Sequence, residues 1–343
     1  MARPKRVTIT DIARLAGVSP GAVSFALNGR PGVSDATRAR ILEIAEANQW
    51  VPSSAARALV GSRAGVVGFA VNRTARALST EAFFIDLIAG TQSALTAQRI
   101  ALQMVLVSSI EEEMATYRRW ASANQVDGVI VIDPRDDDPR LSLLTELGLP
   151  AVVIGSHISE PDEPATIWLD DSRVAHAVFD YLTALGHRSI VYVSGPAEFQ
   201  HTQLRVDVLS ALADRGVVGE VIPTDFSAAA ATTTMRSILS RPERPTAIVF
   251  DNDMMAIAGC RVAQEMRVSV PGDLSVASFD DSTVAGLVHP SITAITRDTF
   301  RLGEDAANFL LEQIDSTETL GDRPGIPPQL TVRESTAAPR TAD

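Results

Sequence analysis

The chain has 343 residues, is 45% hydrophobic and 21% charged, and carries a formal net charge of −12. That length predicts two or three globular domains, and no apolar run reaches the roughly 18 residues a membrane span needs. The single cysteine, Cys260, excludes an internal disulfide, and the basic N-terminus lacks the apolar centre of a secretory signal. A cytosolic protein without membrane contact is therefore expected.

The charge is unevenly spread. Residues 1–63 carry nine Lys/Arg against four Asp/Glu, a net +5, which leaves −17 on the remainder. A basic head on an acidic body is the footprint expected when only the head meets phosphate.

Within that head, Thr10 is placed to cap a first helix whose Ile12, Ala13, Leu15 and Ala16 share a face. Gly17 can take positive φ and end it, and Val18 can plug the corner. Ser19 then caps a second helix that starts with Pro20. Its Ala22, Val23, Ala26 and Leu27 are spaced to face inward. Two short helices joined by a tight glycine turn form a helix-turn-helix. After the loop GRPGV, Ser34 caps a third helix whose Ile41, Leu42, Ile44 and Ala45 would close the core. Pattern alone also allows a generic small helical bundle.

The spacing is more specific than that. Thr8, Ile9, Asp11, Ile12, Ala13, Ala16, Gly17, Val18, Ser19, Val23, Ser24, Leu27, Asn28 and Gly29 follow T-I-x-D-I-A-x-x-A-G-V-S-x-x-x-V-S-x-x-L-N-G, and Val33, Ser34, Thr37 and Arg38 continue it. This resembles the signature of the lactose-repressor (LacI/GalR) family of bacterial transcription regulators. The resemblance implies that the second helix enters the major groove and presents Pro20, Gly21, Ala22, Ser24 and Phe25 to base edges. Thr8, Ser19, Asn28 and Arg30 join the DNA-facing set, with Ser24, Asn28 and Arg30 suited to phosphates. The chain departs from the commoner family pattern by having Ala22 instead of Thr and Phe25 instead of Arg. Neither can make those hydrogen bonds, so a different operator is expected. The segment PSSAARAL is too short to be a stable isolated helix. It resembles the family's hinge helix, which would place Ser53, Arg57 and Leu59 on DNA, with Leu59 as a minor-groove wedge. A plain interdomain linker is the alternative for that segment.

From residue 64 the pattern alternates strand and helix. Strands are predicted in GVVGFAV, ALQMVLVSS, DGVIVID, PAVVIG, TIWLDD, IVYVSGP, TAIVFDN and LSVASFDD, with amphipathic helices between most of them. This predicts doubly wound parallel sheets in two lobes, like periplasmic binding proteins, with ligand beyond the carboxyl ends of strands. Asp133, Asn252, Asp253, Asp280 and Asp281 follow strands directly. The family resemblance continues through Leu185-Gly-His-Arg, Asn252-Asp253, Phe279-Asp-Asp and Arg333-x-Ser-Thr. It implies effector contacts at Arg205, Asn252 and Asp280 and an aromatic cover at Phe226, so the candidate site is Asp133, Arg205, Phe226, Asn252 and Asp280. Carboxylate, amide and guanidinium groups together suit a small polar effector, a sugar or a nucleoside-like molecule. Each strand-end Asp or Asn could equally be a helix cap.

The domains read as a helix-turn-helix over 7–50 and a hinge over 51–63. One lobe is expected from 64–162 and 293–325, the other from 163–292 and 326–338. Expected partners are pseudo-palindromic double-stranded operator DNA, the effector and a second copy of the chain. A stand-alone sugar-binding protein would lack the head. An enzyme would need a motif that is absent: the five histidines have no metal-ligand spacing, and there is no phosphate loop or nucleophile elbow. No cofactor or metal is expected.

Overall fold

A computed structural model describes residues 7–27, 31–48, 50, 63–156 and 158–340. The chain divides into two compact units, residues 1–63 and 64–343.

In the first unit, α1 (Ile9–Ala16), α2 (Pro20–Leu27) and α3 (Asp35–Ala47) enclose a core of Ile12, Ala13, Ala16, Val23, Ala26 and Ile41. Thr8, not Thr10, caps α1. Its hydroxyl accepts from the Asp11 amide, and the Asp11 carboxylate accepts from the Thr8 amide, which closes a capping box. Gly17 ends α1 with a left-handed φ of 64°. Ser19 accepts from the Ala22 amide and Ser34 from the Thr37 amide, so both cap as expected. Leu15 and Leu42 were expected inside but are 53% and 46% exposed. At about 100° per residue, Leu15 lies more than a quarter-turn from the centre of the buried face of α1, and Leu42 nearly a quarter-turn from that of α3. Ala22 and Leu27 are half-buried at the rim of the core.

The second unit contains two six-stranded sheets. The first has β1 (Val66–Asn72), β2 (Ala101–Val107), β3 (Gly128–Ile132), β4 (Ala151–Gly155), β5 (Ala165–Trp168) and β11 (Arg323–Pro324), in the order 2-1-3-4-5-11. The second has β6 (Ser189–Ser194), β7 (Val218–Pro223), β8 (Ala247–Phe250), β9 (Ser275–Ser278), β10 (Thr293–Thr296) and β12 (Gln329–Thr331), in the order 7-6-8-9-10-12. All pairings are parallel except β10 with β12. The central strands β3, β4, β8 and β9 are buried on both faces, and all but the two serines of β9 are apolar, as helix-covered parallel strands require. In each sheet the order reverses around one strand, β1 or β6. That is the switch point where side chains beyond the strand ends can surround a ligand.

The chain passes between the lobes three times. Ala165–Trp168 pairs with β4, so the first passage follows Trp168. Thr293 and Ala294 pair with β9, so the second follows Thr296. Both lie a few residues later than the sequence boundaries at 162 and 292. A strand belongs to the sheet whose backbone it pairs with, and the polar stretch before β5 joins two neighbouring strands instead of two lobes. The third passage, Gly325–Pro328, separates β11 from β12.

Candidate functional site

Between the two sheets lies a cleft whose lining includes many residues just past the carboxyl ends of strands. Arg73 follows β1, Asp133 follows β3, Ser156 follows β4, and Arg297 follows β10. Asp251 and Asn252 follow β8, and Asp280 lies two residues past β9. α9 (Gln200–Ala211) brings His201 and Arg205, and the loop after β7 brings Phe226. Asp133 and Phe226 both have left-handed backbone, at φ 52° and 66°. Non-glycine residues hold that conformation only when their surroundings impose it. Gly195 leaves room for the Phe226 ring, since a Cβ there would lie 2.1 Å from ring carbons.

Two charged networks organise the walls. In the deeper one, Arg205 donates to Asp251 and, at 2.7 Å, to Asp171. Tyr192 and the Gly195 amide also donate to Asp251, each at 2.6 Å, and Ser156 donates to Asp171 at 2.7 Å. The guanidinium lies over Phe279, 4.4 Å from the ring centre. Burial alone would raise Asp171, but Arg205 and Arg297 hold it well below the usual carboxylate range.

The second network crosses the cleft. Arg73 donates to Asp133 at 2.8 Å and approaches Glu81 at 3.7 Å. Its guanidinium rests on an aromatic platform, 4.6 Å from the Phe226 ring centre and 5.3 Å from that of Phe199. Phe199, Phe226 and His201 are near-parallel, with centres 5.7 to 6.4 Å apart. Burial pushes Glu81 up to about 7 despite Arg73, and Asp133 and Asp280 add to the rise. Burial likewise pushes Asp280 up to about 6 against the pull of Arg297 and Arg205. Burial, then Arg205, keeps His201 below its ordinary value.

Several buried polar atoms here have no hydrogen-bond partner among the described residues: Nε of Arg73 and Arg205, Oε1 of Glu81, and Nε and Nη2 of Arg297. Buried polar groups are rarely left so, and these converge on one space. Only about 70 Å³ remains free there, less than the roughly 150 Å³ that admits one benzene molecule.

On the head, Pro20, Gly21 and Phe25 of α2 are exposed and Ala22 and Ser24 half-buried; Phe25 is 42% exposed and lies against Gly32. Thr8 and Ser19 are exposed beside their caps.

Residues 8–53 match the model of the bacterial regulatory proteins of the lacI family, and residues 179–336 match a periplasmic binding protein-like domain. The transcriptional regulator CelR of Thermobifida fusca is 31% identical over 98% of this chain and 100% of its own. The chain belongs to the lacI family. A solved CelR–cellobiose complex superposes with a TM-score of 0.71 at 28% identity, over 96% of this chain and 100% of that one. The lac repressor dimer bound to operator and an anti-inducer superposes at 0.80 with 25% identity, over 97% and 100%. This lacI-family protein is accordingly a DNA-binding transcriptional regulator with a two-lobed α/β core.

All five residues singled out in the sequence, Asp133, Arg205, Phe226, Asn252 and Asp280, line the one cleft. Their freedom differs. Asn252 caps α11 (Asp253–Glu265) through the Met255 amide at 2.8 Å and donates to the Phe226 carbonyl at 3.1 Å, so it is largely committed to structure. Arg205 is held by two carboxylates. The Asp280 carboxyl accepts no hydrogen bond among the described residues, while its neighbour Asp281 pairs with Arg333, at 2.6 and 2.7 Å. Sequence reading missed Arg73, Glu81, Asp171, His201, Asp251 and Arg297. The strand-end rule, applied evenly to β1 and β10, would have found Arg73 and Arg297. Glu81 and His201 reach the cleft only by tertiary placement. Asn28, Arg30, Ser53, Arg57, Leu59 and the hinge helix lie outside the described residues.

Proposed function

We propose that this regulator reads operator DNA with α2 and releases or retains it according to a neutral saccharide bound between its lobes. The head would correspond to residues 7–50 and the hinge to 51–63. Phe25, Ala22, Gly21 and Pro20 face bases in this reading, and Thr8, Ser19, Ser24, Asn28, Arg30, Ser53, Arg57 and Leu59 complete the DNA surface. The effector meets Asp133, Phe226 and Asp280, with Glu81 and Arg297 added, and displaces Arg73 from the Phe226 ring, while Arg205 and Asn252 shape the wall. The protein acts as a cytosolic homodimer without catalytic activity. Exposed Ile85 and Leu106 on one lobe and Val284 and Leu287 on the other support pairing.

The observation that carries the effector reading is the cleft's chemistry. Five carboxyls face three arginines there, so an anionic ligand would meet excess acid. Hydroxyls can accept from Arg297 and donate to Asp280 at once. The near-parallel rings offer a surface for the apolar face of a sugar, and a relative is solved with cellobiose. The test is calorimetric titration of cellobiose, then of other neutral saccharides, into the full chain with and without operator duplex. Binding energies are reciprocal, so operator must change saccharide affinity by the factor by which saccharide changes operator affinity. Equal affinities in both titrations would sink the control mechanism, and no saturable heat from any neutral saccharide would sink the ligand class.

A further inference from the structure

A second cavity, of about 270 Å³, lies where the chain passes between lobes. Its walls come from the passages and the strand ends beside them: Trp168 and Leu169 at the first, Ile295 of β10 just before the second, and Pro324, Pro327 and Pro328 at the third. The lining is mostly apolar, yet the space is larger than the roughly 150 Å³ that takes up benzene. Ile326 on its rim is 38% exposed, an apolar side chain left in water.

The lining holds three polar side chains, Asp170, Arg173 and Trp168, of which the last two are uncommitted among the described residues. The side chain of Arg173, near the start of α8 (Asp171–Ala184), enters no ion pair or hydrogen bond among the described residues; only its backbone amide is used, donating to Asp170 at 2.9 Å. Trp168, half-buried in the wall, makes no hydrogen bond through its indole N–H among the described residues. Flat apolar walls, an indole and a free guanidinium together match an aromatic ring carrying one anionic group.

The cavity is not mechanically isolated. Leu169 forms part of its wall and part of the effector cleft's wall. The Gly325 amide donates to the Trp168 carbonyl at 2.8 Å, tying the third passage to the first. A Cβ at Gly325 would lie 2.6 Å from the end of the Leu169 side chain and 3.3 Å from the Trp168 carbonyl oxygen, so the two segments pack closely. Any opening of the lobes must bend these passages, because they are the covalent links between them.

We propose that this cavity is a second small-molecule site, for a flat aromatic carboxylate, and that its occupation restrains lobe movement and so changes affinity at the cleft. The site itself stands independently of the effector reading; the coupling rests on it.

The probe is 2-naphthoate, titrated into the full chain by calorimetry, with 2-naphthol as its uncharged counterpart. One saturable site per chain is expected. Arg173→Gln should weaken 2-naphthoate at least tenfold and leave 2-naphthol within twofold. Ala177→Trp, at an exposed position on the rim, should abolish binding of both while the melting temperature holds. Absence of saturable binding, or binding indifferent to both variants, overturns the site. For the coupling, cellobiose is titrated with and without saturating 2-naphthoate, and a change of at least threefold in its affinity is expected. Unchanged cellobiose affinity overturns the coupling alone. If cellobiose never binds while 2-naphthoate does, the effector reading fails and the second site survives.

Discussion

Replacing Glu81 by Gln should make the protein more stable above neutral pH and leave it nearly unchanged in acid. Glu81 is 8% exposed, its Oε1 has no partner among the described residues, and burial lifts its pKa from 4.5 to about 7. A carboxyl whose pKa is higher folded than unfolded binds its proton more tightly in the native state. Between about pH 4.5 and 7 the native state therefore holds the extra proton, and stability falls as pH rises. Above about pH 7 the whole cost is in place, and below about pH 4.5 none of it is. At about 1.4 kcal/mol per pH unit the cost is at most about 3.5 kcal/mol, an upper bound because side chains and water can relax around the charge. Gln keeps the shape without the charge. Calorimetric melts of wild type and Glu81→Gln from pH 5 to 9 should converge in acid and separate by several degrees at pH 8. Parallel curves over the whole range would show that burial does not govern this carboxyl. A variant less stable at every pH would show that the contact with Arg73, 3.7 Å away, outweighs burial.

Arg205→Ala should destabilise the fold by about 3–5 kcal/mol, since it leaves buried Asp171 and Asp251 without their cation; a melting temperature equal to wild type would contradict that role. Asp280→Ala should weaken saccharide binding at least tenfold with operator binding intact, measured by calorimetry and fluorescence anisotropy. Wild-type saccharide affinity should also fall as pH drops through about 6, where Asp280 takes up its proton. Arg73→Ala should tighten saccharide binding several-fold, because its guanidinium occupies the platform 4.6 Å from Phe226; weaker binding would make Arg73 a ligand contact instead of a competitor. Phe25→Arg should shift the preferred operator in a binding-site selection by adding a guanine-reading fork, and an unchanged preference would place residue 25 away from the bases.

Much of the fold was legible because local signals agreed with one another. Gly17, Ser19 and Ser34 each do what their chemistry suggests, and the apolar runs of β3, β4 and β8 can only be strands covered on both faces. Thr8 competed with Thr10 as a cap and won because Asp11 stands three residues after it. Leu15 and Leu42 were misplaced because an eight- or thirteen-residue helix buries a narrow face and nearby leucines fall off its edge. The passages between lobes were misjudged for another reason. A strand's own residues do not say which sheet it joins; that depends on partners distant in sequence, as Thr293 and Ala294 depend on Ala277 and Ser278.

At the site, sequence supplied two of the five carboxyls, Asp133 and Asp280, and one of the three arginines, Arg205. Asp133, Asn252 and Asp280 stand out because polar residues after apolar strands are conspicuous. Arg73 and Arg297 are equally strand-end residues, but an arginine after a strand reads as ordinary surface until its buried nitrogens are seen without partners. The same logic divides the cleft's residues by freedom. Arg205 is pinned between Asp171 and Asp251, and Asn252 between the Met255 amide and the Phe226 carbonyl, so the fold loses much without them. Glu81, Asp280 and Arg297 have capacity left over, and Arg73 can exchange a ring face for a ligand. Binding energy that shifts a conformational equilibrium must come from groups that are satisfied differently in the two states. In this cleft those groups are Asp280, which the sequence pattern singles out, and Glu81, Arg73 and Arg297, which it does not, and a saccharide that satisfied only Arg205 and Asn252 would bind without moving the lobes.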